Sequence, residues 1–250
     1  MKLVLLAVLF LAGLIVCLEI GYFLGARRAK SVTNAHDGFG AIEAAVFGIF
    51  GLLLSLSFVG AGSRLDVRRS LIVEETNAMA DAYTLVDLLP ASDQPDVRRL
   101  FREYVDLRLL ISQEPDEALD ESQIHHSRSL QQAILLHAIN DTKTGDAAGA
   151  RLLLSATNQM KDVATKKTIA KQTHSSAVVF ALLAAAALLS GLVAGFGMAR
   201  GRRNWLSVVV YALIVTVTLY VMLDMEYPRN GLIGIATADR AMLDFRDSIQ

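Results

Sequence analysis

Two carboxylates, Asp224 and Glu226, stand at the end of a long apolar run in the stretch "YVMLDMEYPRNGLI" (220–233), with an aromatic, a proline and an arginine directly after. Acids this close to hydrocarbon are expensive unless something meets them. Suitable cations exist: Arg64, Arg68 and Arg69 leave an earlier apolar run, and Arg229 follows Pro228. The set predicts ion pairing at a membrane boundary, where the local dielectric is low; solvated end charges are the alternative. Pro228 disfavours helical geometry at Tyr227 and so ends the run. Tyr227 suits an interface, and Asn230-Gly231 turns the chain. Two further acids, Glu19 and Glu43, lie inside apolar runs. An intramembrane carboxylate marks a functional site by default, although Arg27, Arg28 or Arg203 can reach these by snorkelling.

A second set is apolar. Gly40, Ala44, Phe47, Gly51, Ser55, Phe58 and Gly62 recur at steps of three and four, which places them on one stripe of a helix. Small residues interrupted by two rings have two readings. One is close helix packing, which glycine stripes favour in membranes. The other is an oligomer axis, with Phe47 and Phe58 as constrictions that gate by dewetting.

Motifs for covalent or metal chemistry are missing. There is no glycine-rich phosphate loop, H-E-x-x-H, nucleophile elbow or cysteine cluster. His125 and His126 are adjacent, so a helix points them about 100° apart, and His137 is too far from either for an i,i+4 pair. The chain is therefore expected to be no enzyme, with no catalytic residue, cofactor or metal. The single cysteine, Cys17, cannot form a disulfide within the chain.

The elements that must carry these residues are membrane helices. Of the 250 residues, 53% are hydrophobic, and the mean hydropathy is +0.42. Only 7% are aromatic, so the excess is aliphatic, the usual membrane-helix mixture. Four apolar runs, 3–24, 39–62, 177–199 and 205–223, each reach the roughly 20 residues that cross a bilayer. The first has a positive start at Lys2 but no A-x-A site, and Val16 spoils a lipoprotein box, so an uncleaved anchor is expected.

Between the second and third runs the sequence reads as four amphipathic helices. The first, 64–89, continues the second span, with Leu65, Ile72, Met79 and Val86 as a heptad seam. Pro90 and Pro95 bracket a turn. The next helix, 96–112, carries Val97, Leu100, Tyr104, Leu107 and Ile111 on one face. Helices over 119–140 and 150–172 follow, separated by a loop read from "NDTKTGDAAG" (140–149). "TADRAMLDFRDSI" then reads as a short amphipathic helix along the bundle or the membrane surface.

An even number of helices leaves from and returns to one face, so the bundle and both termini share a side. Arg27, Arg28, Lys30, Arg200, Arg202 and Arg203 fall on the opposite side. Lys2, Arg64, Arg68, Arg69, Lys161, Lys166, Lys167 and Lys171 lie on the bundle side, so the charge rule leaves orientation open.

The segments "GAIEAAVFGIFGLLLSLSFVGAGSRLDVRRSLIVEETNAMADAYTLVDLLP" (40–90), "DVATKKT" (162–168) and "YVMLDMEYPRNGLI" (220–233) resemble the bacterial bestrophin-like domain family of multi-pass membrane proteins. The family name implies a distant relation to bestrophins, pentameric anion channels with four membrane segments, a helical cytosolic domain and an aromatic neck on the second segment. No bestrophin ligand motif carries over residue by residue, so channel activity rests on analogy.

These readings predict an all-α membrane protein with four transmembrane helices and a helical bundle inserted between spans two and three. The parts are 1–63 (spans one and two), 64–175 (bundle), 176–227 (spans three and four) and 228–250 (a turn and an amphipathic helix). The expected function is an oligomeric, anion-conducting channel in the inner membrane. Its expected partners are the lipid bilayer, further copies of the chain and small anions. The net charge of −1 gives no argument for nucleic acid. A non-conducting sensor or scaffold acting through its bundle is the alternative.

Overall fold

Long aliphatic runs without internal proline can satisfy their backbone in hydrocarbon only as helices, and helices are what this chain forms. The computed structural model describes residues 2–29, 39–114, 120–144, 147–199, 205–229, 233 and 235–249. Its helices are α1 (Lys2–Ala29), α2 (Phe39–Thr84, continued by a 3₁₀ turn at Leu85–Leu88), α3 (Gln94–Gln113), α4 (Glu121–Thr144), α5 (Ala147–Gln172), α6 (Ala177–Met198), α7 (Trp205–Glu226) and α8 (Ala236–Ser248). No strand occurs among the described residues. Four helical stretches are long and apolar enough to cross a membrane: Leu3–Arg28, Gly40–Leu88, Ala148–Met198 and Trp205–Glu226. The turn expected at Asn230-Gly231 and the basic residues Lys30, Arg200, Arg202 and Arg203 lie outside the described residues.

The chain divides into two units, Met1–Ser63 with His174–Ile233, and Arg64–Thr173 with Gly234–Gln250. Helix α2 belongs to the first up to Ser63 and to the second beyond it.

In the first unit α1 lies against α6 at a glycine-mediated crossing. A Cβ added at Gly21 would land on the Leu192 carbonyl, and one at Gly195 on the Leu18 carbonyl. One at Gly25 would come within 2.6 Å of the Phe196 carbonyl oxygen, and one at Gly191 within 2.6 Å of Leu14 Cδ1. Leu14, Leu18, Leu183, Ala187, Ala212 and Met222 form the core around the crossing. The start of α6 is capped by Ser176, whose hydroxyl accepts from the Val178 N–H at 3.3 Å. At the same end of the unit α7 stops at Glu226, two residues before Pro228.

In the second unit the heptad seam is real: Leu65, Ile72, Met79 and Val86 are all buried. Met79 and Val86 share a core with Val97, Phe101, Tyr104 and Val105 of α3, Ile134 of α4, Leu153 and Met160 of α5, and Met242 of α8. Two expectations need correction. The buried face of α3 includes the expected Val97, Tyr104 and Ile111 but extends to Phe101, Val105 and Arg108, while the expected Leu100 and Leu107 are only partly covered. The reason is that α3 packs against both α4 and α8, so two neighbours widen the buried sector beyond a single 3–4 stripe. The loop expected at 140–149 is also far shorter, since α4 runs to Thr144 and α5 begins at Ala147. Gly149 is a packing glycine: an added Cβ would stand 2.7 Å from Leu88 Cβ and 2.9 Å from its carbonyl oxygen.

Candidate functional site

In the first unit, the span portion of α2 has three distinct sides. One carries the buried Phe50 and Ala61. The side opposite the small-residue stripe presents Ile42, Ile49 and Leu56, all at least 60% exposed. The stripe itself is open: Gly40, Ala44, Gly51, Ser55 and Phe58 are exposed, and a Cβ at Gly40, Gly48 or Gly51 would meet no described residue within 4 Å. The two rings of the stripe differ. Phe47 is half-buried and sits edge-on to Tyr211 at 6.2 Å between centroids, whereas Phe58 remains 36% exposed. At the end of the stripe Gly62 approaches Met225, whose Cε would lie 3.5 Å from an added Cβ.

The intramembrane acids are both half-buried. The Glu43 carboxylate lies over Gly197, with Oε1 2.7 Å from where a Cβ would stand. Glycine there is what lets the carboxylate lie against α6.

Asp224 and Glu226 are completely buried. Asp224 Oδ2 accepts the Ile233 N–H at 2.6 Å, which ties the segment after α7 back onto it. Glu226 Oε1 accepts the Ser175 N–H at 2.5 Å and lies 3.9 Å from His174 Nδ1. The His174 ring in turn stacks on Tyr227 at 4.8 Å. These contacts give both acids backbone partners, which the charge-pairing argument did not foresee. Asp224, Glu226 and Arg229 fall in the first unit, and Arg64, Arg68 and Arg69 in the second. There Arg68 is buried and donates to the Ala170 and Thr173 carbonyl oxygens at 3.2 and 3.0 Å, closing the C-terminal end of α5. Arg69 lies 3.9 Å from Asp66, one turn away.

The second unit holds a charge cluster that the sequence reading missed. Glu75 is fully buried and accepts two charged donors, Arg108 Nε at 2.6 Å and Lys167 Nζ at 2.5 Å. Burial alone would raise the Glu75 pKa, but the two cations outweigh it and hold the carboxyl below the usual range. Lys167 behaves oppositely: burial outweighs Glu75 and pushes its pKa down. Beside the cluster the Tyr104 hydroxyl accepts from Gln131 Nε2 at 2.7 Å. Burial pushes its pKa up, so it stays a neutral phenol. Lys171 caps the end of α3, donating to the Ile111 and Glu114 carbonyl oxygens at 2.9 and 2.8 Å. Lys167 and Lys171 are therefore not part of a solvated basic rim, because their charges are used inside the bundle.

A family model described as a bestrophin-like domain matches residues 7–239. No curated protein and no solved structure matches the chain.

Proposed function

Because the chain belongs to the bestrophin-like domain family, we propose that it is an oligomeric, anion-conducting channel that crosses the inner membrane four times. The observation that carries this reading is the division of labour on α2. Its bulky aliphatic side, Ile42, Ile49 and Leu56, suits lipid. Its small-residue side, Gly40, Ala44, Gly51 and Ser55, is equally bare. Lipid gains little from small residues, while a neighbouring helix gains close backbone approach. A second copy of the chain is thus the natural occupant, and several copies around one axis would enclose a path lined by α2. Phe47 is held by Tyr211, which leaves Phe58 as the ring for a hydrophobic constriction.

The test is to reconstitute purified wild type and Phe58→Ala in planar bilayers after sizing both in mild detergent. The expected result is an oligomer whose chloride current rises in Phe58→Ala, because a wider, less apolar neck wets more readily. A monomer that stays silent in both forms would remove the channel and leave a sensor or scaffold acting through the bundle.

A further inference from the structure

A cavity of about 420 Å³ opens in the second unit between α3, α4 and α5, a size within the range of small-molecule sites. Its walls include Arg108, Ser127, Gln131, Arg128, Ala164 and Thr168. Arg108 decides what the cavity can hold. Its side chain is buried, and Nε is committed to Glu75. Its two η nitrogens make no hydrogen bond to any described residue. Nor are they sealed in protein: the fully enclosed unpartnered side-chain atoms, among the described residues, belong to Glu114, Gln123, Asp141 and Thr216. The guanidinium therefore presents its free edge to the cavity. A forked donor edge in a desolvated place is matched by a planar pair of acceptor oxygens.

Charge selects among such ligands. The walls carry Arg108 and Arg128 against Glu121. Behind Arg108, Lys167 is set against Glu75 and Asp239, so the formal charges around the site cancel. Each negative charge a ligand brings is then uncompensated beyond the Arg108 contact itself, which favours a monoanion over a dianion. Ile124, Ala164 and Ile169 supply apolar wall for a short carbon body. We infer that the bundle binds a small organic monocarboxylate, its carboxylate paired with the η edge of Arg108 and its body against α4 and α5. This holds whether or not the chain conducts.

Full-length protein in detergent, melted by circular dichroism at constant ionic strength, tests the inference with butyrate as probe and with chloride and inorganic phosphate as comparisons. Butyrate should raise the melting temperature saturably, by roughly 5 °C at a hundredfold excess over its half-saturating concentration. Arg108→Lys keeps a cation for Glu75 but loses the fork. Thr168→Leu fills the cavity and leaves the Glu75 cluster untouched, so it decides the matter if Arg108→Lys does not fold. Each should raise the half-saturating concentration at least about tenfold, the loss expected of one charge-assisted contact. The inference is overturned if butyrate gives no saturable rise, if chloride or phosphate does as well, or if Thr168→Leu responds like wild type.

Discussion

Glu75 shows how much one side chain can organise. It is the only carboxylate that accepts both Arg108 and Lys167 through hydrogen bonds among the described residues. Removing it strands two buried cations, which by analogy with other buried pairs costs about 3–5 kcal/mol. Glu75→Gln should therefore lower the melting temperature sharply, while Asp96→Asn, at the exposed Asp96–Arg99 pair, should barely change it. The pH dependence gives a second reading. A carboxyl held below its usual range contributes stability that is complete above the ordinary value of about 4.3 and is lost as pH falls through its folded value. Lys167, pushed down, sheds its proton earlier in the folded state, so stability rises as pH climbs toward the ordinary lysine value of about 10.4. Acid melts of wild type should lose stability below about pH 4.3, and Glu75→Gln should lack that component; identical acid limbs would contradict the assignment. The cluster was legible in the sequence, though not read there. Glu75 falls three residues after Ile72 and four before Met79 on the heptad seam. Lys167 continues the series Leu153, Met160 at sevens, and Arg108 falls one turn after Tyr104. A charged residue in register with an apolar seam is the signal, and reading Lys167 as part of a basic run hid it.

At the scale of elements, the two glycine patterns have different uses. The sequence reading gave the α2 stripe to helix packing or to an oligomer axis, and the closest approach among the described residues is made by Gly21 and Gly25 of α1 and by Gly191 and Gly195 of α6. Both pairs have the small-xxx-small spacing that lets membrane helices touch backbones. A small-residue stripe announces a close-packed face without saying which chain supplies the other side, so the partner was not readable from spacing. The difference predicts opposite outcomes for the same substitution. Gly195→Ala drives a methyl into the Leu18 carbonyl, and overpacking of this kind costs about 1–3 kcal/mol or more where backbone must move. Gly51→Ala meets no described residue of its own chain. In a detergent harsh enough to separate copies, Gly195→Ala should melt well below wild type and Gly51→Ala should match it. Equal losses would mean that the α2 stripe packs inside the chain after all. The helices of the bundle were largely legible because heptads, prolines and amphipathic faces are local signals. The α4–α5 connection was misread because Gly149 serves packing rather than a turn.

At the scale of the whole molecule, the family match spans residues 7–239, and the chain pairs four membrane-length helices with a bundle built around a buried ionic cluster. The proposed conduction would need more than one chain, and α2 carries a small-residue face that the described residues of its own chain leave bare. The central claim is that this face lines the path. Single cysteines at Ser55 and at Ile49, on different sides of α2, should be introduced into a Cys17→Ser background, reconstituted, and exposed to a charged thiosulfonate reagent while chloride current is recorded. If the stripe surrounds the path, modification of Ser55→Cys changes the current and modification of Ile49→Cys, which faces lipid, leaves it unchanged. A current indifferent to modification at Ser55→Cys, equally altered through Ile49→Cys, or absent altogether would contradict the account.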